Sequence, residues 1–190
     1  MSGQEFQLLL YCARSQPDPE CVRNLVHKGI NWDKLLALAE HHGVRPMLRQ
    51  SLKAVSWYSV PQSTQFELEQ FYRSQVHRSL SFSGELLRLV GEFQKNYIQV
   101  AVFKGVVLLC GRMVPTLAHD DLALYLAAHG TKEGWRYLKW VCDFGEFFRK
   151  YQNLSWETML DRAEQSHSSR PLQLRRHSCV KIIRCTHLRN

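Results

Sequence analysis

The sequence predicts a mostly α fold, with helical segments on either side of one short strand, turn and helix. Three observations carry this. Apolar residues recur at helical spacing through most of the chain. Cap and stop residues bracket those runs. Only residues 97–103, YIQVAVF, are short, β-branched and aromatic in the manner of a strand.

The elements follow in order. Residues 5–14 make a short apolar helix, stopped by Gln16-Pro17-Asp18-Pro19. Residues 20–28 make a second, with Gly29 as the residue just past its end. Asn31 caps the run INWDKLLALAEHHGV, in which Trp32, Leu35, Leu36 and Ala39 share a face, and Gly43 ends it. A short helix spans 46–55. Pro61 opens a long pattern running to about residue 95, where Ser79, Ser81, Ser83 and Gly84 predict a kink or interruption. After the strand, Lys104-Gly105 ends it and residues 106–113 look helical. Pro115 breaks the pattern. His119-Asp120-Asp121 starts a helix through LALYLAAHG, and another is expected over 132–151. Ser155 caps a last one, SWETMLDRAEQ, which echoes INWDKLLALAE in its Trp-acid-x-x-Leu-x-x-Ala-Glu pattern. Two amphipathic helices with like caps explain that echo without a repeat array.

A chain of 190 residues fits one domain with a helical extension. No run approaches the ~18 apolar residues of a membrane span. The N-terminus lacks the basic start and apolar run of a secretory signal. No membrane association and a cytoplasmic location are therefore expected. Cys12, Cys110 and Cys142 sit among apolar neighbours and read as small core residues; none of the six cysteines forms a C-x-x-C pair.

The net charge of +8 is unevenly placed. Residues 165–190 hold six bases and no acid, so the rest carries only about +2 (8 less 6). The tail lacks the interleaved aromatics of a single-strand binder, which makes a solvated tail the better reading and nucleic-acid binding the weaker one. His177-x-Cys179 and Cys185-x-His187 lack the spacing of a structural zinc site.

Candidate chemistry lies in three places. Asp120 and Asp121 are adjacent on a helix and so point about 100° apart, which suits a helix start better than a shared ion. Lys104-Gly105 joins strand to helix, where glycine admits a phosphate to the backbone and lysine adds a point charge. In HGTKEGWRYLKWVCDF, residues 129–144, Lys139 and Asp143 stand at i, i+4, which spacing alone reads first as an exposed ion pair; their flanking by Trp135, Trp140 and Phe144 argues instead for a half-buried pair in which Lys139 meets an anion and Asp143 orients it or binds a metal.

The pattern HGxxxxWxxLKWxxD, preceded by LAHDDLALYL and followed by SWETMLDRAE, resembles the C-terminal signature of a family of bacterial nucleotidyltransferases that are similar to the abortive-infection type. INWDKLLALAEHHGVRPML, the proline-led long helix and YIQVAVFKGVVLL extend the resemblance over roughly residues 5–165. It implies a nucleotide site containing Lys104, Gly105, His129, Lys139 and Asp143. It also implies Mg²⁺ with a nucleoside triphosphate as the cofactors of an active member. The family places a metal-binding Asp-x-Asp on a strand after the Lys-Gly turn. This chain passes directly from Met113 to Leu117, with no Asp-x-Asp or Glu-x-Asp between residues 97 and 130.

The resulting organisation is an N-terminal helical region over 1–95, a remnant of the nucleotidyltransferase core over 96–116, a C-terminal helical region over 117–166 and a basic tail over 167–190. Two function classes follow: nucleotidyl transfer to a hydroxyl-bearing acceptor, impaired by the missing carboxylates, or a non-catalytic remnant that binds a nucleotide or protein. A lone strand must pair elsewhere, dimerise or fray, so a homo-oligomer or a protein partner is a further expectation.

Overall fold

The computed structural model describes residues 3–100, 102, 108–109, 112–113, 117–151 and 161. They form a mostly helical protein. The helices are α1 (Gln4–Cys12), α2 (Pro19–His27), α3 (Trp32–His41), α4 (Arg45–Val55), α5 (Gln62–Lys95), α6 (His119–Lys132) and α7 (Leu138–Lys150), with a 3₁₀ turn at Trp57–Ser59. Among the described residues, no helix is long and apolar enough to cross a membrane.

Local chemistry explains the first helices. The Asp18 carboxylate accepts from the N–H groups of Glu20 and Cys21 at 3.0 and 3.1 Å, and Pro19 fills the first helical position of α2. Asn31 Oδ1 accepts from the Lys34 N–H at 3.0 Å and starts α3. Gly43 ends it with φ +66°, its N–H donating to the Glu40 carbonyl while the Val44 N–H donates to that of Ala39.

α1 to α4 and the start of α5 enclose the main core, built on Leu8, Leu9, Val22, Leu35, Leu48, Leu52 and Leu68. The buried Ser51 hydroxyl donates to the Cys12 carbonyl at 2.8 Å, so this polar group carries no desolvation debt. Along α4, Arg45 bridges Glu40 and Glu67, and Arg49 makes two 2.9 Å bonds to Glu69, which also receives Lys53 at 2.8 Å. This ladder fixes the rotation of α5 against α4.

Four sequence expectations are corrected. First, α5 is continuous through Ser79–Gly84; the Ser81 hydroxyl is absorbed by a 3.0 Å bond to the His77 carbonyl one turn back. Second, the strand expected from residue 97 does not form over 97–100. Tyr97 takes φ 58° and closes α5, donating to the Gln94 carbonyl while the Ile98 N–H donates to that of Phe93. Val102 makes one isolated bridge, and Val100 and Val102 pack on Val90 of α5. Third, the helix expected over 106–113 is replaced by a two-residue antiparallel pair, β1 (Leu108–Leu109) and β2 (Arg112–Met113), with Leu108 opposite Met113. The two intervening positions are Cys110-Gly111, and a glycine in a two-residue link suits a hairpin better than a helix interior. Fourth, the helix expected over 132–151 is broken at 133–137 for a reason given below. The echo helix SWETMLDRAEQ apart from Asp161, which is helical and exposed, Cys110 and the basic tail lie outside the described residues.

Candidate functional site

The residues singled out at 129–144 form a hairpin of α6 and α7. Its turn is set by one close approach. Gly134 and Trp135 both take positive φ, 66° and 54°. The Trp135 N–H donates to the Gly130 carbonyl at 2.8 Å and the Gly134 N–H to that of Thr131 at 3.0 Å, which satisfies the last carbonyls of α6. Trp135 then folds back onto the helix it has left. A Cβ at Gly130 would stand 2.6 Å from its Cη2, so only glycine admits the indole there. The indole meets Phe144 edge to face at 5.1 Å, and Phe144 is fully buried. Trp135 therefore lies outside the helix that the sequence predicts over 132–151.

His129 and Lys139 are brought together through Trp140. The His129 ring lies 4.1 Å from the Trp140 ring at 82°, and stacks on Tyr125 one turn back at 5.7 Å. The Lys139 Nζ sits 4.6 Å from the Trp140 centroid and 5.6 Å from that of Tyr137, both in cation–π range. Lys139 is half-buried. Asp143, one turn further along α7, is exposed, so the half-buried alternative holds for Lys139 and not for Asp143. Lys104 and Gly105 lie outside the described residues.

The sequence reading missed the other wall of this seam. The Lys139 N–H donates to the His42 carbonyl at 3.2 Å, so an unpaired donor at the start of α7 meets an unpaired acceptor at the end of α3. The stem of Lys139 lies across Gly43, where a Cβ would stand 2.7 Å from its Cδ. His41 faces Tyr137 at 5.4 Å, and His42 packs between His41 and Phe6. Burial, with the neighbouring His41 charge, holds His42 below the usual histidine range, and its Nδ1 is buried with no hydrogen-bond partner among the described residues. The signal available was His41-His42-Gly43 itself, which reads in sequence only as a helix stop.

Two further contacts tie α7 to the end of α1. The Ser15 hydroxyl donates to Glu146, and the half-buried Cys142 Sγ donates to the Ala13 carbonyl at 3.4 Å. Burial pushes the Cys142 thiol up to about 11. Hydrogen bonds from Arg149 and then Ser15 hold Glu146 down to about 2, and Glu5, Asp18, Glu69 and Glu85 are likewise held below the usual carboxylate range by their hydrogen-bond partners.

The arrangement gathers imidazoles, an ammonium and three electron-rich rings where α3, α6 and α7 meet. Such a site can take an anion flanked by flat surfaces. Among the described residues it offers no paired carboxylates for metals: Asp120 and Asp121 stand side by side in the first turn of α6, from which their side chains diverge.

Residues 28–109 and 107–184 match the model of a protein family described as an uncharacterised nucleotidyltransferase. The match runs to 184, beyond the 5–165 span that the motifs alone carry and into the basic tail. No curated protein and no solved structure matches the chain.

Proposed function

The chain belongs to the family of uncharacterised nucleotidyltransferases, and we propose that it is a catalytically impaired member that retains nucleotide binding. The carrying observation is the absence of any Asp-x-Asp or Glu-x-Asp between residues 97 and 130. In phosphoryl and nucleotidyl transfer, Mg²⁺ held by such a pair activates the attacking hydroxyl and neutralises the triphosphate. Asp120 and Asp121 do not fit that task, and no step through the metal is drawn for this chain.

The two-part family match supports the same reading. Its segments meet at 107–109, a few residues before the Met113–Leu117 stretch where the sequence passes from the Lys-Gly turn straight to the C-terminal helices. An internal deletion at this place removes the carboxylate strand and leaves the helices on both sides.

The remaining cations carry the binding role. Lys139 supplies a point charge held in position by Gly43 and Trp140, and His129 supplies ring N–H capacity beside it. The family resemblance adds Lys104-Gly105, outside the described residues, as a phosphate-binding turn, and Asp143 as a residue that orients the ligand.

The test pairs two measurements on the full chain. Thermal shift with each nucleoside triphosphate, with and without Mg²⁺, is expected to show stabilisation that Lys139→Ala loses. Incubation with labelled triphosphates is expected to show no transfer. Transfer to any acceptor, abolished by Asp143→Ala, would overturn the impairment. Neither shift nor transfer would overturn nucleotide binding and leave a non-catalytic helical remnant.

A further inference from the structure

A second basic and aromatic concavity lies on the N-terminal helices. It is a groove of about 240 Å³ between the outer face of α2 and the end of α4, with Arg23, His27, Lys53, Trp57 and Tyr58 among its lining. No acid contributes to its lining. Arg23 and His27 are one helical turn apart on α2, both exposed, and neither has a carboxylate in ion-pair range among the described residues. Lys53 comes from the last turn of α4. It is shared with Glu69 at 2.8 Å, and its Nζ sits 5.7 Å from the Trp57 ring. The adjoining 3₁₀ turn presents Tyr58 at full exposure.

The fully exposed Tyr58 ring offers a flat surface beside these bases. Val60, two residues on, is buried, and the Gln65 amide donates 2.9 Å bonds to the Trp57 and Val60 carbonyls, which anchors the backbone of the turn. Arg23 and His27, without a carboxylate partner among the described residues, stand with the Glu69-paired Lys53 beside that ring, and a nucleotide requires these two elements: charge for the phosphate and a flat surface for the base.

We propose that this groove binds a nucleotide unit, with its phosphate against Arg23, His27 and Lys53 and its base stacked on Tyr58. The unit comes either from a free nucleoside monophosphate or from single-stranded nucleic acid. The assignment does not rest on nucleotidyl transfer and uses none of the residues of the α3–α6–α7 seam.

The probe is a fluorescein-labelled ten-nucleotide single-stranded RNA, titrated by fluorescence polarisation at low salt, with adenosine monophosphate and inorganic phosphate as separate competitors. The variant Arg23→Gln/Tyr58→Ala changes two exposed side chains. It is expected to weaken binding about tenfold or more with an unchanged Tm, since stacking alone accounts for that factor. Competition by the monophosphate assigns the site to a free nucleotide or a strand end; weakening without such competition assigns it to a strand interior, and both support the shared chemistry. Equal competition by inorganic phosphate would overturn the stacking role. Loss of affinity in the tail variant Arg175→Gln/Arg176→Gln, but not in Arg23→Gln/Tyr58→Ala, would overturn the site, as would no binding by the unaltered protein.

Discussion

The indole of Trp135 rests on the Cα of Gly130, so close that a methyl there would stand 2.6 to 2.7 Å from three carbons of the ring. The two residues are also joined through the backbone, Trp135 N–H to Gly130 carbonyl at 2.8 Å. One glycine therefore serves both the helix end and the aromatic cluster that holds α6 to α7.

Gly130→Ala is expected to destabilise the protein despite alanine's better helix propensity. Overpacking at a rigid ring costs roughly 1–3 kcal/mol, which exceeds the gain of about 1 kcal/mol from replacing a helical glycine. Denaturant unfolding would show a lower midpoint. In the double variant with Trp135→Leu, the penalty of the alanine should shrink, giving a coupling of at least ~0.5 kcal/mol. An additive cycle would rule out the proposed clash.

Gly43→Ala acts differently. The backbone there has φ +66°, so alanine meets about 1–2 kcal/mol of left-handed strain, and its methyl also displaces the Lys139 stem. The expected result is a modest fall in Tm together with loss of the triphosphate-dependent thermal shift. Gly29→Ala provides the control. It has φ +84° but open space around its Cβ, so it should lower Tm and leave the ligand response intact.

Much of this geometry was readable in the sequence, and the unreadable part has a common cause. Asn31 before Trp32, Asp18 before Pro19 and Gly43 after His42 mark helix ends through local hydrogen bonding, which depends on a few adjacent residues. The break at Gly134-Trp135 was missed because Thr-Lys-Glu-Gly-Trp-Arg is compatible with a helix by spacing. What ends α6 is the indole finding room on Gly130. The contact of Lys139 with Gly43 joins residues almost a hundred positions apart, and no local pattern encodes it. Tyr97 closes α5 with a left-handed conformation that its residue type disfavours, so the strand predicted to begin there loses its first residues to the helix cap.

Stability should fall with pH in two separable steps. His42 is held below the usual 6.5, so the folded state favours the neutral ring. Its contribution is fully present above the unfolded value of 6.5 and is lost as pH falls from there towards the lower folded value. Glu146 is held down to about 2 from 4.5, so its contribution is present above 4.5 and is lost between 4.5 and about 2. Chemical denaturation at a series of pH values should show both slopes. His42→Gln should flatten the first and leave the second, while Arg149→Gln should reduce only the second, because its hydrogen bonds are the main cause of the Glu146 shift and the lowered Glu5, Asp18, Glu69 and Glu85 keep contributing. Unchanged slopes in the two variants would refute the assignments.

α5 offers the sharpest contrast within one element. Leu68 near its start is 1% exposed and packs in the main core, whereas Leu80 and Phe82 near its middle are 65% and 69% exposed. Burial, not residue type, sets the cost of removing an apolar side chain. Leu68→Ala should therefore cost about 2–5 kcal/mol through lost transfer energy and a residual cavity. Leu80→Ser and Phe82→Ser should each stay within about 0.5 kcal/mol, as surface changes do. Equilibrium denaturation at two protein concentrations would check this. If Leu80→Ser costs as much as Leu68→Ala, and the cost grows with concentration of the unaltered protein, then that stretch of α5 is covered in solution by a second copy, and the exposed face described here belongs only to the isolated chain.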